Sequence, residues 1–240
     1  MTNAIGLICI RPNEVWCDFL NKFTSYTVHI IIDDESFDCE DFIQKYKNIT
    51  FVKIDNSKCR EVGVLNMNLH FSKKDCTAWE KAVYYFSCEN TNYDFVWLVE
   101  DDVFIPGENS ILNIDNKFIN HDLLSNKCET NSAEKKDYWY NWKFIKMTYS
   151  LPHYRGMMCA IRMSKKMFNS IANYAKKNKT LFFLEAMFPT IAMKNNLQLG
   201  FPKELGTIHF RHDFKKKDIN KASLYHPVKN LQQHIFFRDP

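Results

Sequence analysis

The 240-residue chain lacks a strong excess of either charge. Its 32 basic and 28 acidic side chains give a formal net charge of +4. A domain that binds nucleic acid usually shows a clear basic excess, so this near balance argues against nucleic acid as the partner. Lysines do crowd the C-terminal end, where a cationic strip could meet phosphates, but a solvated surface is the simpler interpretation. These lysines are Lys215, Lys216, Lys217, Lys221 and Lys229.

Long apolar runs are missing as well. No stretch approaches the length of about 18 apolar residues that a membrane-spanning helix needs. The first residues lack the basic region, apolar core and small-residue cleavage site of a secretion signal. We therefore expect a soluble, cytoplasmic protein with no transmembrane segment.

The eight cysteines include no pair in the CxxC spacing. This absence argues against a zinc knuckle and against a thioredoxin-type redox pair. Cys9 and Cys159 lie in apolar, strand-like runs, where a free thiol behaves as a small hydrophobic side chain. A reducing compartment is the simpler inference, in agreement with a cytoplasmic location.

The composition is that of one folded domain. Apolar residues make up 45% of the chain and aromatic residues 15%, enough for a sizeable core with a cleft, and no internal repeat or linker divides it. Four apolar runs are typical of buried strands: Ile5–Ile10, Thr27–Ile32, Ile49–Ile54 and Phe95–Val99. Thr77 and Glu80 form a capping-box pattern at the start of a helix. Strands separated by helix-length segments predict an α/β domain with a mostly parallel sheet flanked by helices.

The second half of the chain is harder to interpret. Residues 107–150 are rich in Asn and Lys, and we expect a long irregular loop that contains an aromatic cluster. A strand is predicted over 156–161 and a helix after the capping residue Ser164, followed by a second helix over about 184–196. The tail from residue 210 onward is polar and basic.

Polar side chains directly follow three of the predicted strands. They are Arg11, the run Asp33-Asp34-Glu35 and the run Glu100-Asp101-Asp102. In open sheets of this kind, ligands bind at the carboxyl ends of the strands. We therefore expect the three groups to lie at one ligand site.

The run Glu100-Asp101-Asp102 is the most informative of the three. Three adjacent carboxylates at the end of a buried strand repel one another unless a cation lies between them. Mg²⁺ and Mn²⁺ bind oxygen ligands and typically use one or two carboxylates together with substrate phosphates. Because side chains alternate along an extended segment, Glu100 and Asp102 point to one side, and Asp102 is the natural direct ligand. A solvated acidic turn is the alternative, but the apolar residues on both sides of the run favour the metal site.

The segment from Asp94 to Pro106, with the sequence DFVWLVEDDVFIP, resembles the acidic-motif strand of nucleotide-sugar glycosyltransferases with the GT-A fold. It is most similar to the Glu-Asp-Asp version found in N-acetylglucosaminyltransferase I and in the collagen and lipo-oligosaccharide galactosyltransferases. The resemblance implies one Rossmann-like GT-A domain over 1–240, with a nucleotide-binding half over about 1–106 and an acceptor-binding half over about 107–240. It also implies Mn²⁺ or Mg²⁺, a nucleotide-sugar donor such as a UDP-sugar, and a carbohydrate or glycosylated acceptor.

The resemblance also assigns the donor-binding residues. The end of the second strand contacts the base or the ribose in this family, and Asp33, Asp34 and Glu35 match that position. Glu100 is expected near the ribose or a metal-bound water, and Asp101 beside it. The guanidinium of Arg11, after the first strand, could contact phosphate or stack on a base. An acidic turn and an ordinary surface arginine are the alternatives.

Two later segments match the remaining parts of the family's site. Glu185, in the apolar setting FFLEAMFPT, matches the carboxylate that takes the acceptor's proton in inverting members; a carboxylate stabilised at a helix N-terminus is the alternative. His226 and Lys229 match the C-terminal histidine and basic residue that close the metal or diphosphate site. His209 and His212 compete with His226 for this role.

An aromatic segment before the predicted late strand is a candidate wall for a sugar. Tyr138, Trp139 and Trp142 could stack on a sugar face, although aromatic clusters more often simply pack. The segment 154–156 lies where the family lets a donor or acceptor sugar approach the backbone.

The sequence thus predicts a metal-dependent glycosyltransferase, with two alternatives. A degenerate member of the same fold could serve as a carbohydrate-binding or scaffold protein. A sugar-phosphate nucleotidylyltransferase would require a glycine-rich phosphate loop after the first strand, and Ile10–Glu14 contains no glycine.

Overall fold

A computed structural model describes residues 2–68 and 74–239 of the chain. The strands of this part are β1 (Asn3–Cys9), β2 (Thr27–Ile32), β3 (Ile49–Lys53), β4 (Phe95–Glu100), β5 (Leu123–Leu124), β6 (Glu129–Asn131), β7 (His153–Arg155), β8 (Ala160–Ser164) and β9 (Leu199–Gly200). Seven of them form a central sheet in the order β3-β2-β1-β4-β8-β5-β9, and β6 pairs with β7 in a separate small sheet. Neighbours from β3 to β4 are parallel, whereas β8 is antiparallel to both β4 and β5.

Helices cover both faces of the central sheet. They are α1 (Glu14–Leu20), α2 (Glu40–Lys45), α3 (Asn56–Val62), α4 (Ala78–Tyr84), α5 (Glu108–Lys117), α6 (Lys165–Asn178), α7 (Leu184–Lys194) and α8 (Leu231–Arg238). Helices α3, α4, α6 and α7 contribute to one hydrophobic core, and α1 and α5 contribute to the other. Within residues 2–68 and 74–239, no helix is long and apolar enough to cross a bilayer.

Strand β1 shows why these apolar runs become central strands. Ala4 and Ile8 pack into one core while Ile5 and Leu7 pack into the other, as expected for a strand buried on both faces. A Cβ atom on Gly6 would lie 2.9 Å from Leu98 and 3.0 Å from the ring of Phe86. Glycine therefore lets the residues beyond α4 pack directly against the middle of the sheet.

The predictions for the first half agree with these elements. Strand β2 begins and ends at the predicted residues. The capping box forms before α4, with the Thr77 amide and hydroxyl both donating to the Glu80 carboxylate at 2.8 and 2.7 Å. The same carboxylate accepts from the amide of Met67 at 2.6 Å, so this cap also fixes the loop before the helix.

The predictions for residues 107–164 were partly wrong. Helix α5 lies inside the stretch expected to be irregular, because its polar composition hides a buried face that includes Asp115. Strand β8 begins at Ala160 rather than at residue 156, and it carries a fully buried arginine, Arg162. The guanidinium of Arg162 donates to Asp115 at 2.8 Å, which also accepts from Trp97 at 3.0 Å. A buried ion pair thus joins two elements that a hydrophobic pattern alone does not reveal.

The polar tail contains a helix that the sequence pattern did not predict. Asn230 caps α8 by accepting from the amide of Gln232 at 2.8 Å. Phe237 of this helix joins Phe104, Phe214 and Tyr225 in a small third core. The tail is therefore packed beside the segment that follows β4.

Candidate active site

The carboxyl ends of β1, β2 and β4 lie side by side. The amide of Asp33 donates to the carbonyl of Cys9 at 2.9 Å, and the amide of Asp101 donates to the carbonyl of Ile8 at 3.1 Å. These bonds continue the parallel ladder by one residue beyond each strand. The polar groups that the sequence placed after these strands therefore meet at one edge of the sheet, as predicted.

The backbone of the acidic run is held from two sides. The indole of Trp16 in α1 donates to the carbonyl of Asp101 at 2.8 Å. From the C-terminal segment, the amide of Val228 donates to the carbonyl of Asp102 at 2.7 Å. Both bonds therefore fix the backbone from which the carboxylates of Asp101 and Asp102 extend.

Glu100 ends β4 and is oriented by an indole. The Nε1 of Trp79, on α4, donates to Glu100 Oε1 at 2.7 Å. Burial raises the pKa of Glu100 and the charge of Asp102 adds to this, against the hydrogen bonds from Trp79 and Cys159, which lower it. The second oxygen, Oε2, faces the imidazole of His226 at 3.9 Å.

His226 is a buried imidazole beside two carboxylates. Its Nε2 lies 3.4 Å from Asp102 Oδ1, while its Nδ1 is 2.6 Å from the carbonyl of His209. That carbonyl can only accept, so Nδ1 carries the proton, and Nε2 of the neutral ring is left as an acceptor facing Glu100 and Asp102. Burial lowers the pKa of His226, but the hydrogen bond and charge of Asp102 outweigh it, so the pKa is raised.

The C-terminal segment positions His226 by pairing with two separate stretches of chain. Tyr225 and Phe104 exchange backbone hydrogen bonds at 2.8 and 3.0 Å. The amide of His209 donates to the carbonyl of His226 at 3.0 Å. Of the competing histidines, His209 therefore contributes a carbonyl that orients the ring, and His212 packs against Phe214 with ring centroids 4.3 Å apart.

A cavity of about 230 Å³ opens next to this cluster, between the ends of β1 and β2 and the start of α4. Asp33, Asp101 and Thr77 are among the residues that line it. Burial raises the pKa of Asp101 to about 6, and the charges of Asp102 and Glu100 contribute to the same shift. The cavity thus has an acidic wall continuous with the acidic run.

Arg11 and Asp34 form an exposed ion pair beyond this cavity. The guanidinium of Arg11 lies 2.6 Å from Asp34 Oδ2, and its side chain is 60% exposed. Hydrogen bonds from Ser36 and from Arg11 lower the pKa of Asp34 to about 2. Arg11 also lies 5.8 Å from the ring of Phe37. The pair stands on the rim, so Arg11 and Asp34 are near the predicted site without lining its cavity.

Lys81 is a residue near the site that the sequence analysis missed. It is fully buried on α4, and its Nζ donates to the carbonyl of Asp33 at 2.6 Å and to Glu35 at 3.2 Å. Its burial could have been predicted from the spacing, because Lys81 follows Ala78 by three positions and so lies on the helix face assigned to the core. Glu35 is thereby directed toward α4.

A second, larger cavity of about 600 Å³ contains Glu185 at the start of α7. Burial and the charge of Glu100 raise the pKa of Glu185 to about 7, while Arg155 and His226 act in the opposite direction. The backbone of Glu185 is fixed because its carbonyl accepts from the amide of Gly156 at 3.0 Å. Glu185 is therefore close enough to Glu100 and His226 for their charges to affect its pKa.

The walls of the larger cavity come from β7, from the connection that precedes it, from the residues around the start of α7 and from Phe210. Arg155 pairs with Asp137 at 2.5 Å and stacks over Trp139, and Trp139 in turn stacks on Phe183 with centroids 5.7 Å apart. Phe210 lines the opening and is 70% exposed. Of the three predicted aromatics, Trp139 lines the cavity, whereas Trp142 packs behind it and Tyr138 is exposed on the outside.

Two basic features predicted to bind phosphate do not contact the acidic cluster. Lys229 is exposed, and no ion pair joins it to any residue in 2–68 or 74–239. Lys216 and Lys221 line a different cavity, of about 460 Å³, together with Arg238 and the start of α5. Lys216 and Lys221 therefore line a cavity other than the two that contain the acidic run and Glu185.

Cys159 is the other residue whose position was not predicted. Cys159 directly precedes β8. Its carbonyl accepts from the amide of Glu100 at 2.9 Å, which holds it beside the acidic run. The ligand atoms of Glu100, Cys159 and His226 all lie within 4.8 Å of one another. Burial and the charge of Glu100 raise the pKa of the Cys159 thiol.

Comparison with known proteins identifies the fold. No protein-family model matches the sequence, and no curated protein matches it either. Among solved structures, the 4-diphosphocytidyl-2C-methyl-D-erythritol synthase from Anaerococcus prevotii aligns with a TM-score of 0.51 at 9% identity, over 99% of this chain and 94% of its own. The galactosyltransferase LgtC, solved in complex with donor and acceptor sugar analogs, aligns with a TM-score of 0.50 at 8% identity, over 99% and 95%. The predicted fold class, a mostly parallel α/β sheet of the GT-A type flanked by helices, is therefore confirmed.

Proposed function

We propose that this protein is a metal-dependent glycosyltransferase that moves a sugar from a nucleotide-diphosphate donor to an acceptor hydroxyl. One observation carries the proposal. The Nε2 of His226, from the far end of the chain, faces Asp102 at 3.4 Å and Glu100 at 3.9 Å at the carboxyl edge of the sheet. Two carboxylates and a bare imidazole nitrogen in one place form a set of ligands for a divalent cation.

The donor set fits Mn²⁺ or Mg²⁺. Both ions bind carboxylate oxygens, and an imidazole nitrogen is acceptable to Mn²⁺. Asp102 and His226 would hold the ion directly, with Glu100 beside them and oriented by Trp79. When bound, such an ion supplies positive charge that stabilises a departing diphosphate. The protein's own part is to hold the backbone of the acidic run through the bonds at Asp101 and Asp102 and to orient Glu100 through Trp79.

The smaller cavity suits the nucleotide of the donor. It lies between the ends of β1 and β2, and its carboxylates Asp33 and Asp101 can accept hydrogen bonds from ribose hydroxyls or from a base N–H. Arg11 and Asp34 stand on its rim, where a guanidinium could turn from its partner toward phosphate or base. A uridine diphosphate sugar is the donor we propose, on the resemblance of the acidic strand to enzymes that use such donors.

The larger cavity suits the acceptor. Glu185 has its pKa raised to about 7, close to the pH at which a general base works best. Its carboxylate would take the proton of the acceptor hydroxyl as that oxygen attacks the sugar. Trp139 and the exposed Phe210 offer flat apolar faces of the kind on which sugar rings stack. A carbohydrate acceptor follows from these walls.

Nucleotidyl transfer is the main alternative, since a synthase of that kind shares the fold. The connection after β1 argues against it, because Ile10–Asn13 leads directly into α1 without a glycine, and Asn13 is used to cap that helix by accepting from Trp16 at 3.0 Å. Pro12 lacks an amide hydrogen and the cap takes up the amide of Trp16, so this loop is not the glycine-rich turn that binds a triphosphate. A non-enzymatic scaffold would show neither activity.

A thermal-shift titration tests the proposal. We expect UDP-sugars to stabilise the protein in Mn²⁺ and much less in EDTA, by about 2.7 kcal/mol at one hundred times the dissociation constant. Asp102→Asn should lose this metal-dependent part while keeping the melting temperature of the free protein, and Asp41→Asn, at an exposed carboxylate on α2, should behave as wild type. Product analysis then separates the alternatives: release of UDP with transfer or hydrolysis of the sugar supports glycosyl transfer, and release of pyrophosphate from UTP and a sugar phosphate contradicts it. Equal shifts with and without metal would contradict the metal site.

A further inference from the structure

We propose that Glu100, Cys159 and His226 form a binding site for a thiophilic divalent cation, of which Zn²⁺ is the probe of choice. A carboxylate oxygen, a thiol sulfur and an imidazole nitrogen from these residues lie within 4.8 Å of one another. The inference does not depend on glycosyl transfer, because it concerns binding of a metal ion to the protein alone.

The three side chains come from separate parts of the chain, and each is held in direction by a second group. Trp79 Nε1 donates to Glu100 Oε1 at 2.7 Å and leaves Oε2 directed at the imidazole. The carbonyl of His209 accepts a hydrogen bond from Nδ1–H of His226 at 2.6 Å, so Nε2 of the neutral ring carries no proton. Such outer partners are typical of metal sites, where they fix the ligand atom and the tautomer.

The donor types select the class of metal ion. Mg²⁺ and Mn²⁺ prefer oxygen, whereas a set of sulfur, nitrogen and oxygen is typical of Zn²⁺. Donors bound to one zinc ion at about 2.0–2.3 Å lie roughly 3.3–3.6 Å apart. The present separations of up to 4.8 Å therefore need side-chain shifts of about 1 Å. Asp102, whose Oδ1 is 3.4 Å from His226 Nε2, is placed to complete a fourth position.

Binding at Cys159 requires one proton to leave. The S–H bond breaks, a sulfur–metal bond forms, and the proton passes to solvent. No oxidant or other reactant is needed. Because Glu100, Asp102 and His226 are shared with the proposed Mn²⁺ site, Zn²⁺ and Mn²⁺ should exclude each other, and sulfur decides which ion binds more tightly.

The test compares metals and cysteines in the free, metal-stripped protein. Co²⁺ added to wild type should give a thiolate-to-metal charge-transfer absorption, and calorimetry should show Zn²⁺ binding at the same site. Cys159→Ser keeps the size and a donor to Glu100, and it should abolish the absorption and weaken Zn²⁺ binding at least about tenfold, as loss of even an outer partner often does. Its Mn²⁺ affinity should stay within a few-fold of wild type. Cys128→Ser, at a half-buried thiol outside the cluster, is the matched control and should retain both signals.

Three results would overturn the inference. They are no charge-transfer absorption in wild type, unchanged Zn²⁺ binding in Cys159→Ser, and an equal loss of Zn²⁺ and Mn²⁺ affinity in that variant, which would make Cys159 a positioning residue. The melting temperature of each variant without metal checks that it is folded. Mn²⁺-dependent stabilisation by UDP-sugars is measured separately, so a failed donor experiment leaves the zinc result interpretable.

Discussion

Two acidic clusters lie at the same edge of the sheet and differ in what neutralises them. The paired cluster, Asp33-Asp34-Glu35, is met by cations of the chain itself: Lys81 contacts Asp33 and Glu35, and Arg11 contacts Asp34. The unpaired cluster, Glu100-Asp101-Asp102, forms no ion pair with any lysine or arginine in the described part of the chain, and the basic side chain that faces it is the imidazole of His226.

The difference separates carboxylates whose charge the chain itself balances from carboxylates that have no lysine or arginine partner among the described residues. The paired cluster ties β2 to α4 through a buried ammonium, so its charge is balanced in the folded protein without any ligand. In the unpaired cluster, burial and mutual repulsion raise the pKa values of Glu100 and Asp101, which shows that the fold holds these charges at a cost. A bound cation would remove that cost. The comparison yields three predictions, given from the largest expected effect to the smallest.

The largest effect should be a loss of turnover on substitution of Glu185, whose pKa is raised by burial and by the charge of Glu100 in the unpaired cluster. Glu185→Gln keeps the size of the side chain but removes its basicity, so turnover should fall by about 10²–10⁴-fold, the usual contribution of a positioned base. This corresponds to about 3–5 kcal/mol in the activation barrier. Donor affinity should be unchanged, because the donor cavity is built from other segments. Transfer rate and donor affinity are measured on the same preparation.

Glu129→Gln provides the control for that experiment. Glu129 lies on β6 and pairs with Lys127, outside both cavities, so its turnover should match wild type. Turnover of Glu185→Gln within a few-fold of wild type would assign Glu185 to structure alone. A product that retains the donor's anomeric configuration would also exclude the base role.

A smaller effect should separate the two lysines of the paired cluster. Lys81→Met leaves the carbonyl of Asp33 buried without its donor, so the free energy of unfolding should fall by about 2 kcal/mol. Lys74→Met removes an ion pair to Asp33 whose lysine is 61% exposed, and the expected change is below about 1 kcal/mol. Urea denaturation of both variants measures the difference. Equal losses would mean that the paired cluster is not organised around the buried ammonium.

The sequence predicted the unpaired cluster better than its surroundings. Glu100-Asp101-Asp102 could be found because a buried strand with continuous apolar residues ends there, and both the strand and its parallel neighbours follow from local pattern. His226 was assigned only through the resemblance to a family, since nothing local in a polar tail shows which segment it will pair with. Glu185 was indicated by its apolar neighbours as well as by the resemblance.

Other features depended on long-range partners that a single sequence does not display. Lys81 can be buried because it pairs with Asp33 and Glu35, and Arg162 can be buried because it pairs with Asp115. In both cases the partners lie far away in the sequence. Cys159 is equivalent to any small apolar residue until β8 is placed antiparallel to β4. Two lysines of the strip, Lys216 and Lys221, line a separate cavity, and the interpretation of the strip as a solvated surface stays a prediction.

The smallest effect is a pH dependence of the free energy of unfolding in the metal-free protein. Glu185, which is coupled to the unpaired cluster, and Asp34 of the paired cluster should contribute to it in opposite senses. The folded pKa of Glu185 is raised from 4.5 to about 7, so folding favours its protonated form. The stability that this group contributes is therefore fully present below pH 4.5 and is lost as pH rises through about 7. Asp34, whose pKa is lowered from 3.8 to about 2, contributes in the opposite sense, and its part is lost only as pH falls below 3.8. A pKa of about 7 in place of 4.5 corresponds to about 3 kcal/mol between pH 8 and pH 4.5. Solvent screening at this half-buried carboxylate reduces the expected effect. In EDTA, the unfolding free energy of wild type minus that of Glu185→Gln should thus increase by about 1–2 kcal/mol over this range. Urea denaturation at several pH values measures this difference, and a constant difference would show that Glu185 is not held at a raised pKa beside Glu100.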